Sequence, residues 1–220
     1  MRKAAFIICF LIAAMQFSYS QLLHSREEID RLKLYRSTIK TSPLAMLVGP
    51  IIFTAEYRFS YEMVLSKKQS FQIGLSYLGK SLYLYLLEKS DSAYQQSNMK
   101  FLVRGYRFQF SYKWFPGRDD APSGLYIGPH FSYSYCKITT KYLNLRDEYL
   151  KATYVNYDGI VGYQYIYNKY AFDFFCGLGY RDNAWFEHFN QVNSPMDEND
   201  FLGYRGDLKI ILGINIGLAQ

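Results

Sequence analysis

The chain has 220 residues, 50% of them hydrophobic and 19% aromatic, with 23 tyrosines and a formal net charge of +6. The basic excess is mild and scattered, with no clustered Lys/Arg stripe to track phosphates, which argues against a nucleic-acid partner. No apolar run reaches the roughly 17–25 residues of a membrane-spanning helix.

The N-terminus opens with Arg2 and Lys3, followed by an apolar stretch from Ala4 to Ala14. Ser18 and Ser20 place small residues at the minus-three and minus-one positions before Gln21. Residues 1–20 therefore read as a secretory signal peptide whose removal leaves Gln21 first. Cys9 lies inside the apolar run with no lipobox before it, which does not fit a lipoprotein. Residues 21–37 are polar and compatible with a turn or two of helix, and are expected to form a short periplasmic lead.

From residue 38 onward the chain alternates. The clearest ladder runs from Phe53 to Leu65: Phe53, Ala55, Tyr57, Phe59, Tyr61, Met63 and Leu65 share one parity, and Thr54, Glu56, Arg58, Ser60 and Glu62 the other. Successive strand side chains point to opposite faces, so this is a strand with one oily and one charged face. A first strand is expected before it, over about 38–48, reversing at Gly49-Pro50, with the second over 51–65. The third starts at Phe71 and runs to about Leu87, and residues 88–99 form a polar loop. The fourth spans about 100–115 and alternates Tyr106, Phe108, Phe110, Tyr112 and Trp114 against Arg107, Gln109, Ser111 and Lys113. A turn at 116–122 leads to the fifth strand, about 124–137. After a loop over about 138–152, the sixth presents Val155, Tyr157, Val161, Tyr163, Tyr165 and Tyr167. Asn168-Lys169 is a tight turn into the seventh, which carries Phe172, Phe174, Leu178 and Tyr180. The longest loop, about 183–206, precedes the eighth strand, with Leu208 to Leu218 in alternation.

Eight such strands, apolar-out and polar-in, predict an all-β fold: an eight-stranded antiparallel up-and-down transmembrane β-barrel over residues 38–220. Turns after strands two, four and six are shorter than the loops after three, five and seven, matching periplasmic turns and extracellular loops, with the tight reversal at Gly49-Pro50 as the exception. Closure satisfies every backbone polar group, which is how an exported chain without a membrane helix can cross a bilayer. The expected location is the cell outer membrane. Tyrosine suits such a barrel because its ring has an apolar body and a wet end.

Several stretches carry a family resemblance. Ile39-Lys40-Thr41-Ser42-Pro43-Leu44, Ala55-Glu56-Tyr57, Gly124-Leu125-Tyr126-Ile127-Gly128-Pro129, Gly162-Tyr163-Gln164 and Phe172-Asp173 leading to Gly177-Leu178-Gly179-Tyr180 resemble small, largely uncharacterised outer-membrane β-barrel proteins of Bacteroidota. The resemblance covers about residues 38–218 and implies fold and location rather than an activity. One departure is the end of the chain: where many outer-membrane proteins finish on an aromatic residue read by the insertion machinery, this one finishes Gly217-Leu218-Ala219-Gln220.

The polar face carries Glu56, Arg58, Glu62, Arg107, Lys113, Asp158, Asp173, Arg181 and Lys209. An eight-stranded barrel is only wide enough for side chains to fill. Near-balanced charge in that space predicts a salt-bridged plug; a proton or ion path is the functional alternative. His130-Phe131-Ser132 puts a His and a Ser on one face, a pair similar to that of the eight-stranded outer-membrane lipid A deacylases. Tyr133 stands where that family has Asn, Glu148 falls in a loop, and parity turns the pair inward. A structural histidine is the expectation, with no catalytic residue assigned. Asp197, Glu198 and Asp200 match no EF-hand spacing, and His24 and His188 have no partners in recognisable spacing. No metal or cofactor is expected. Cys136 and Cys176 have opposite parity, so no disulfide joins them.

The sequence thus points to a non-enzymatic barrel with a structural or interaction role, its loops offering the contact surface. The alternatives are an accessory subunit docking through its aromatic wall and, third, a lipid-modifying enzyme. The expected partners are outer-membrane lipids, the outer-membrane insertion machinery, and a protein bound through the loops or the barrel wall.

Overall fold

The computed structural model describes residues 35–51, 53–90, 100–141, 148–189, 192–196 and 208–220. Nine strands lie in these segments: β1 (Ser37–Thr41), β2 (Thr54–Ser66), β3 (Gln69–Lys80), β4 (Lys100–Trp114), β5 (Gly124–Lys141), β6 (Tyr149–Tyr167), β7 (Tyr170–Phe189), β8 (Val192–Met196) and β9 (Leu208–Ala219). Each of β1 to β7 pairs antiparallel with the next; β9 then pairs with both β7 and β1. The result is a closed antiparallel barrel of eight strands. Strand β8 stands outside the ring and pairs with the far end of β7, from Trp185↔Met196 to Phe189↔Val192. The signal-peptide residues 1–20 and residues 21–34 of the lead lie outside the described residues.

Parity decides which way each side chain points. Along β2, Glu56, Ser60 and Glu62 are buried while Tyr57, Phe59, Tyr61 and Met63 are exposed. The same alternation holds in β3 (Gln72 and Ser76 buried, Ile73, Leu75 and Tyr77 exposed) and in β6 (Asn156 and Asp158 buried, Tyr157, Val161 and Tyr163 exposed). Polar and charged side chains therefore fill the interior, and an apolar, Tyr-rich belt faces out. Of the two cysteines, Cys136 is buried and Cys176 exposed, and neither forms a disulfide.

Short connections gather at one end of the barrel. Lys67 and Lys68 form the turn between β2 and β3, and Asn168 and Lys169, both at positive φ (44° and 73°), form the two-residue turn between β6 and β7. Two consecutive left-handed residues give the type I′ geometry whose twist matches the flanking strands. The start of β1 and the end of β9 meet at this end, with Arg36 N–H donating to the Gln220 carbonyl at 2.7 Å. Apolar side chains close the interior at both ends. Phe115, Ala121, Tyr126 and Ile160 pack together towards the turn end, and Ile51, Leu78, Leu84, Val103, Cys136, Ala152, Tyr154 and Trp185 towards the loop end. Glycine makes room where rings lie flat: a Cβ on Gly162 would sit 2.4 Å from the Tyr126 ring, and one on Gly213 would sit 2.1 Å from that of Phe175.

Four expectations need correction. The first strand is not the 38–48 strand that alternation suggested; it stops at Thr41, and Pro43–Leu47 forms a short helix, α1. Pro43 lacks the N–H a ladder needs and sits at the helix N-terminus, where its fixed φ is tolerated. The third strand ends at Lys80 rather than near Leu87, and Leu82–Ser90 is a helix, α2. Ser81 starts it: its Oγ accepts the Leu84 N–H at 3.2 Å and its carbonyl accepts the Tyr85 N–H at 3.1 Å. The loop expected over 138–152 is narrower, because β5 continues to Lys141 and β6 begins at Tyr149. The loop expected over 183–206 begins later, because β7 runs to Phe189 and turns back as β8. These strand extensions carry apolar residues on the inward face, with Ala152 and Trp185 buried and Ile138 and Leu150 packed against the same cluster, so the apolar-out, polar-in alternation does not mark them. Residues 91–99, 142–147 and 197–207 of those loops lie outside the described residues.

The in/out assignment has a direct check. Single cysteines at Phe108, Phe174 and Leu212 should react with an apolar maleimide in detergent, while cysteines at Gln109 and Ser132 should be shielded. The reverse pattern would turn the barrel inside out.

Candidate functional site

The interior is the part of this molecule where sequence and geometry concentrate chemistry. Its centre is a ring of side chains drawn from all eight barrel strands. Lys40 of β1 donates to Gln164 of β6 at 2.7 Å, to Asp173 of β7 at 2.9 Å and to Gln72 of β3 at 3.2 Å, and forms an ion pair with Glu62 of β2. Lys113 of β4 donates to Asp173 at 2.9 Å and Gln164 at 3.0 Å and lies 3.5 Å from Glu62. Tyr126 of β5 donates its hydroxyl to Asp173 Oδ1 at 2.6 Å, and Asn215 of β9 donates to Asp173 Oδ2 at 3.2 Å. Glu62 accepts further bonds from Ser70 at 2.5 Å and Gln164 at 3.0 Å. The Lys113 ammonium also lies 4.4 Å from the centre of the Tyr126 ring. Two ammonium groups face two carboxylates, so the ring is neutral as well as hydrogen-bonded.

A second network lies towards the loops. Glu56 accepts from Arg58 Nε at 2.7 Å, from Ser76 at 2.7 Å and from Arg107 Nη1 at 2.8 Å. Arg107 Nη2 and Asn156 Nδ2 both donate to Ser132 Oγ at 3.0 Å. Arg181 donates to Asn156 at 3.2 Å, and its guanidinium lies 5.0 Å from the Tyr154 ring. Lys209 and Asp158 pair at 3.4 Å. Asn215 joins the two networks, because its Oδ1 accepts from Arg58 Nη1 at 3.5 Å. Of the charged groups in this second network, Arg58, Arg107, Arg181 and Lys209 are basic and Glu56 and Asp158 acidic. It is therefore basic where the first is balanced.

Every charged residue expected on the inward face is found there, in one network or the other. Lys40 is the member that alternation did not single out: β1 has five residues, and its polar-out Ser37 and Thr41 blur the parity that buries Thr38 and Lys40. The register would have revealed it, since Lys40 sits opposite Ser60 on the inward row of β2.

His130 and Ser132 are both inside and buried but do not bond to each other. His130 Nδ1 shares a 2.7 Å hydrogen bond with Ser111, its cross-strand neighbour, and Ser132 is taken by Arg107 and Asn156. Asp158 is the neighbour of His130 on the other side. Yet His130 Nε2 and Asp158 Oδ1 are each without a hydrogen-bond partner among the described residues. Ser111, His130 and Asp158 are thus in line across three strands without the His–acid hydrogen bond that orients a catalytic imidazole. Among the described residues no group of three or more His, Cys, Asp or Glu side chains could hold a metal. Asp197, Glu198 and Asp200, and also His24, lie outside the described residues; His188 stacks on Tyr149 at 4.5 Å.

No protein-family model matches the sequence, and no curated protein matches it either. One solved structure similar to this chain is that of a major outer membrane protein from Thermus thermophilus, at 7% identity and a TM-score of 0.45, covering 85% of this chain and 100% of that one.

The central ring makes a measurable demand on stability. Asp173→Ala strands Lys40 and Lys113 in a buried site, and removing one partner of a buried ion pair costs about 3–5 kcal/mol. Urea unfolding of the refolded protein should show that loss, while Glu187→Ala, on an exposed residue, should stay within about 0.5 kcal/mol of wild type. Equal midpoints for the two variants would mean that the ring contributes nothing to stability.

Proposed function

We propose that this chain is an outer-membrane β-barrel with a non-catalytic structural or interaction role, its interior a plug rather than a conduit. The observation that carries this reading is the inversion of the ordinary soluble pattern. Phe59, Leu75, Tyr77, Tyr106, Tyr163, Phe174, Leu178 and Leu212 are exposed around a closed wall, while lysine, arginine and carboxylate side chains are buried within it. An uninterrupted apolar belt on a soluble monomer would be an aggregation surface; around a barrel it is the face that lipid covers. Closure supports the same reading, because it satisfies the strand backbone without water.

The plug reading is supported by the two networks, which tie opposite walls together through direct bonds of 2.5–3.5 Å, and by the strand number, which leaves no wide lumen. The apolar clusters at both ends add to it. The contact surface is then the loop end, where loops on a rigid scaffold usually carry recognition. A lipid-modifying activity finds less support, since His130 bonds to Ser111 in place of Ser132 and the acid hydrogen bond is missing.

Planar-bilayer recordings test the plug. Purified wild-type protein should give no stable conductance steps, and Arg58→Ala should lower thermal stability without opening or closing a channel. Regular, large single-channel steps from the wild type would replace the plug with a pore.

A further inference from the structure

We propose that Arg104, Lys137 and Lys151, on the outer wall at the loop end, form a docking row for the headgroup of a membrane lipid that carries a phosphate monoester. This rests on the outer-membrane reading above, which puts lipid beside that wall.

Register brings the three together. Arg104 of β4 lies opposite Lys137 of β5, and Lys137 lies opposite Lys151 of β6. Their chain neighbours Val103, Cys136 and Ala152 are buried, so parity turns all three basic residues outward. Arg104 is exposed and both lysines are half-buried. Neighbouring strands stand about 4.8 Å apart, so three positive charges follow one another across the wall in a single row. Like charges directly opposite each other destabilise a strand pair. The outward rows directly above and below, from Leu102 to His188 and from Tyr106 to Ala184, bring no carboxylate. Among the described residues none of the three forms an ion pair. The turn end differs: Lys68 there pairs with Asp120 at 3.2 Å and donates to the carbonyls of Gly117, Arg118 and Asp119.

Tyr149 draws the two lysines together rather than apart. Lys137 Nζ lies 3.7 Å and Lys151 Nζ 4.9 Å from the centre of its ring, and His188 of β7 stacks on the ring at 4.5 Å. Cation–π attraction to one ring thus holds two ammonium groups near one point of the outer wall. Their mutual repulsion is left for an external anion to offset.

The height of the row selects a lipid. Directly below it the Tyr106 ring packs against Tyr135 at 5.6 Å and against Tyr133 at 6.2 Å. Rings of this kind mark the interface that flanks the apolar band of a barrel. A row one step from them towards the loops is at headgroup level, where the aliphatic stems of lysine and arginine can lie on apolar surface while their charges stay wet. A phosphate monoester carries a charge of about −1.5 to −2 at pH 7. Its several acceptor oxygens can be shared between the planar fork of Arg104 and the two ammonium groups. Lys/Arg clusters beside a membrane bind anionic headgroups in this way. A zwitterionic headgroup brings its own cation and gains less. The acyl chains then run down the wall over Tyr135 and Thr153.

Brominated lipids can locate the site on the full chain. In a Cys176→Ser background, a fluorophore is attached either at Thr153→Cys, just below the row, or at Tyr57→Cys, in the same cross-strand row as Thr153 but on β2. Each protein is reconstituted in phosphatidylcholine vesicles containing phosphatidic acid, a phosphate-monoester lipid, with bromine on the acyl chains of one lipid or the other. At Thr153, half-quenching should need about fivefold less brominated phosphatidic acid than brominated phosphatidylcholine. At Tyr57 the two lipids should quench alike. The combined Arg104→Gln, Lys137→Gln and Lys151→Gln variant should lose the preference at Thr153; should it not fold, the comparison of the two positions with the row intact still decides. Equal quenching by both lipids at Thr153, the same preference at both positions, or a preference that survives the triple substitution would overturn the docking row while leaving the barrel in the membrane. Failure of either lipid to quench at Tyr57 would instead remove the membrane reading on which the row depends.

Discussion

The structure depends on how Asp173, Glu62, Lys40 and Lys113 neutralise one another inside a space too narrow to hold water around each. Burying any one of these charges alone would cost several kcal/mol. Buried together, with Gln72, Tyr126, Gln164 and Asn215 filling the remaining donor and acceptor positions, they become a clasp to which every strand of the barrel contributes a side chain. β1 is the strand that most needs such a clasp. It offers a ladder of only five residues, and Lys40 ties its inner face to β2, β3, β6 and β7 at once. Closure of the ring is thus a side-chain matter as much as a backbone one.

The same narrowness shapes the rest of the interior. With no room for bulk solvent, polar side chains must find each other across the barrel, and Arg58 and Asn215 do so by linking one network to the next. Rings and glycines alternate on facing strands to fill the remaining volume, as Tyr126 does over Gly162. Apolar caps then separate the charged slab from both ends. The proposed plug follows on these terms, because the interior is filled along its axis.

Much of this was legible in the sequence, for a specific reason. Strict alternation over the Phe53–Leu65 ladder, Tyr106–Trp114 and Leu208–Leu218 encodes both the strand and its orientation, so the barrel, its strand number and nearly all of its inward charges could be read from parity. Parity failed where it had little to act on. Residues 44–48 are apolar on both parities, and only the missing N–H of Pro43 separates a helix from a continued strand. The run Leu82-Tyr83-Leu84-Tyr85-Leu86 has the same defect, and the local capping by Ser81 decides it. The upper ends of β5, β6 and β7 put apolar residues such as Ile138, Leu150, Ala152 and Trp185 inside and so break the apolar-out, polar-in alternation that marked the other strands. Lys40 went unassigned because its role comes from partners 22 to 133 positions away, beyond any local pattern.

The clasp is tested most directly by a double-mutant cycle on Lys40 and Asp173, with Lys40→Met, Asp173→Leu and the pair compared by reversible urea unfolding in lipid vesicles. Residues that share a buried network show coupling of about 0.5–3 kcal/mol, whereas independent sites add to within about 0.5 kcal/mol. The structure predicts coupling near the top of that range, with the double variant more stable than the Lys40-containing Asp173→Leu single variant, because Lys40 no longer leaves a stranded ammonium in it. Additive losses would contradict the clasp and leave the barrel held by its backbone ladder alone.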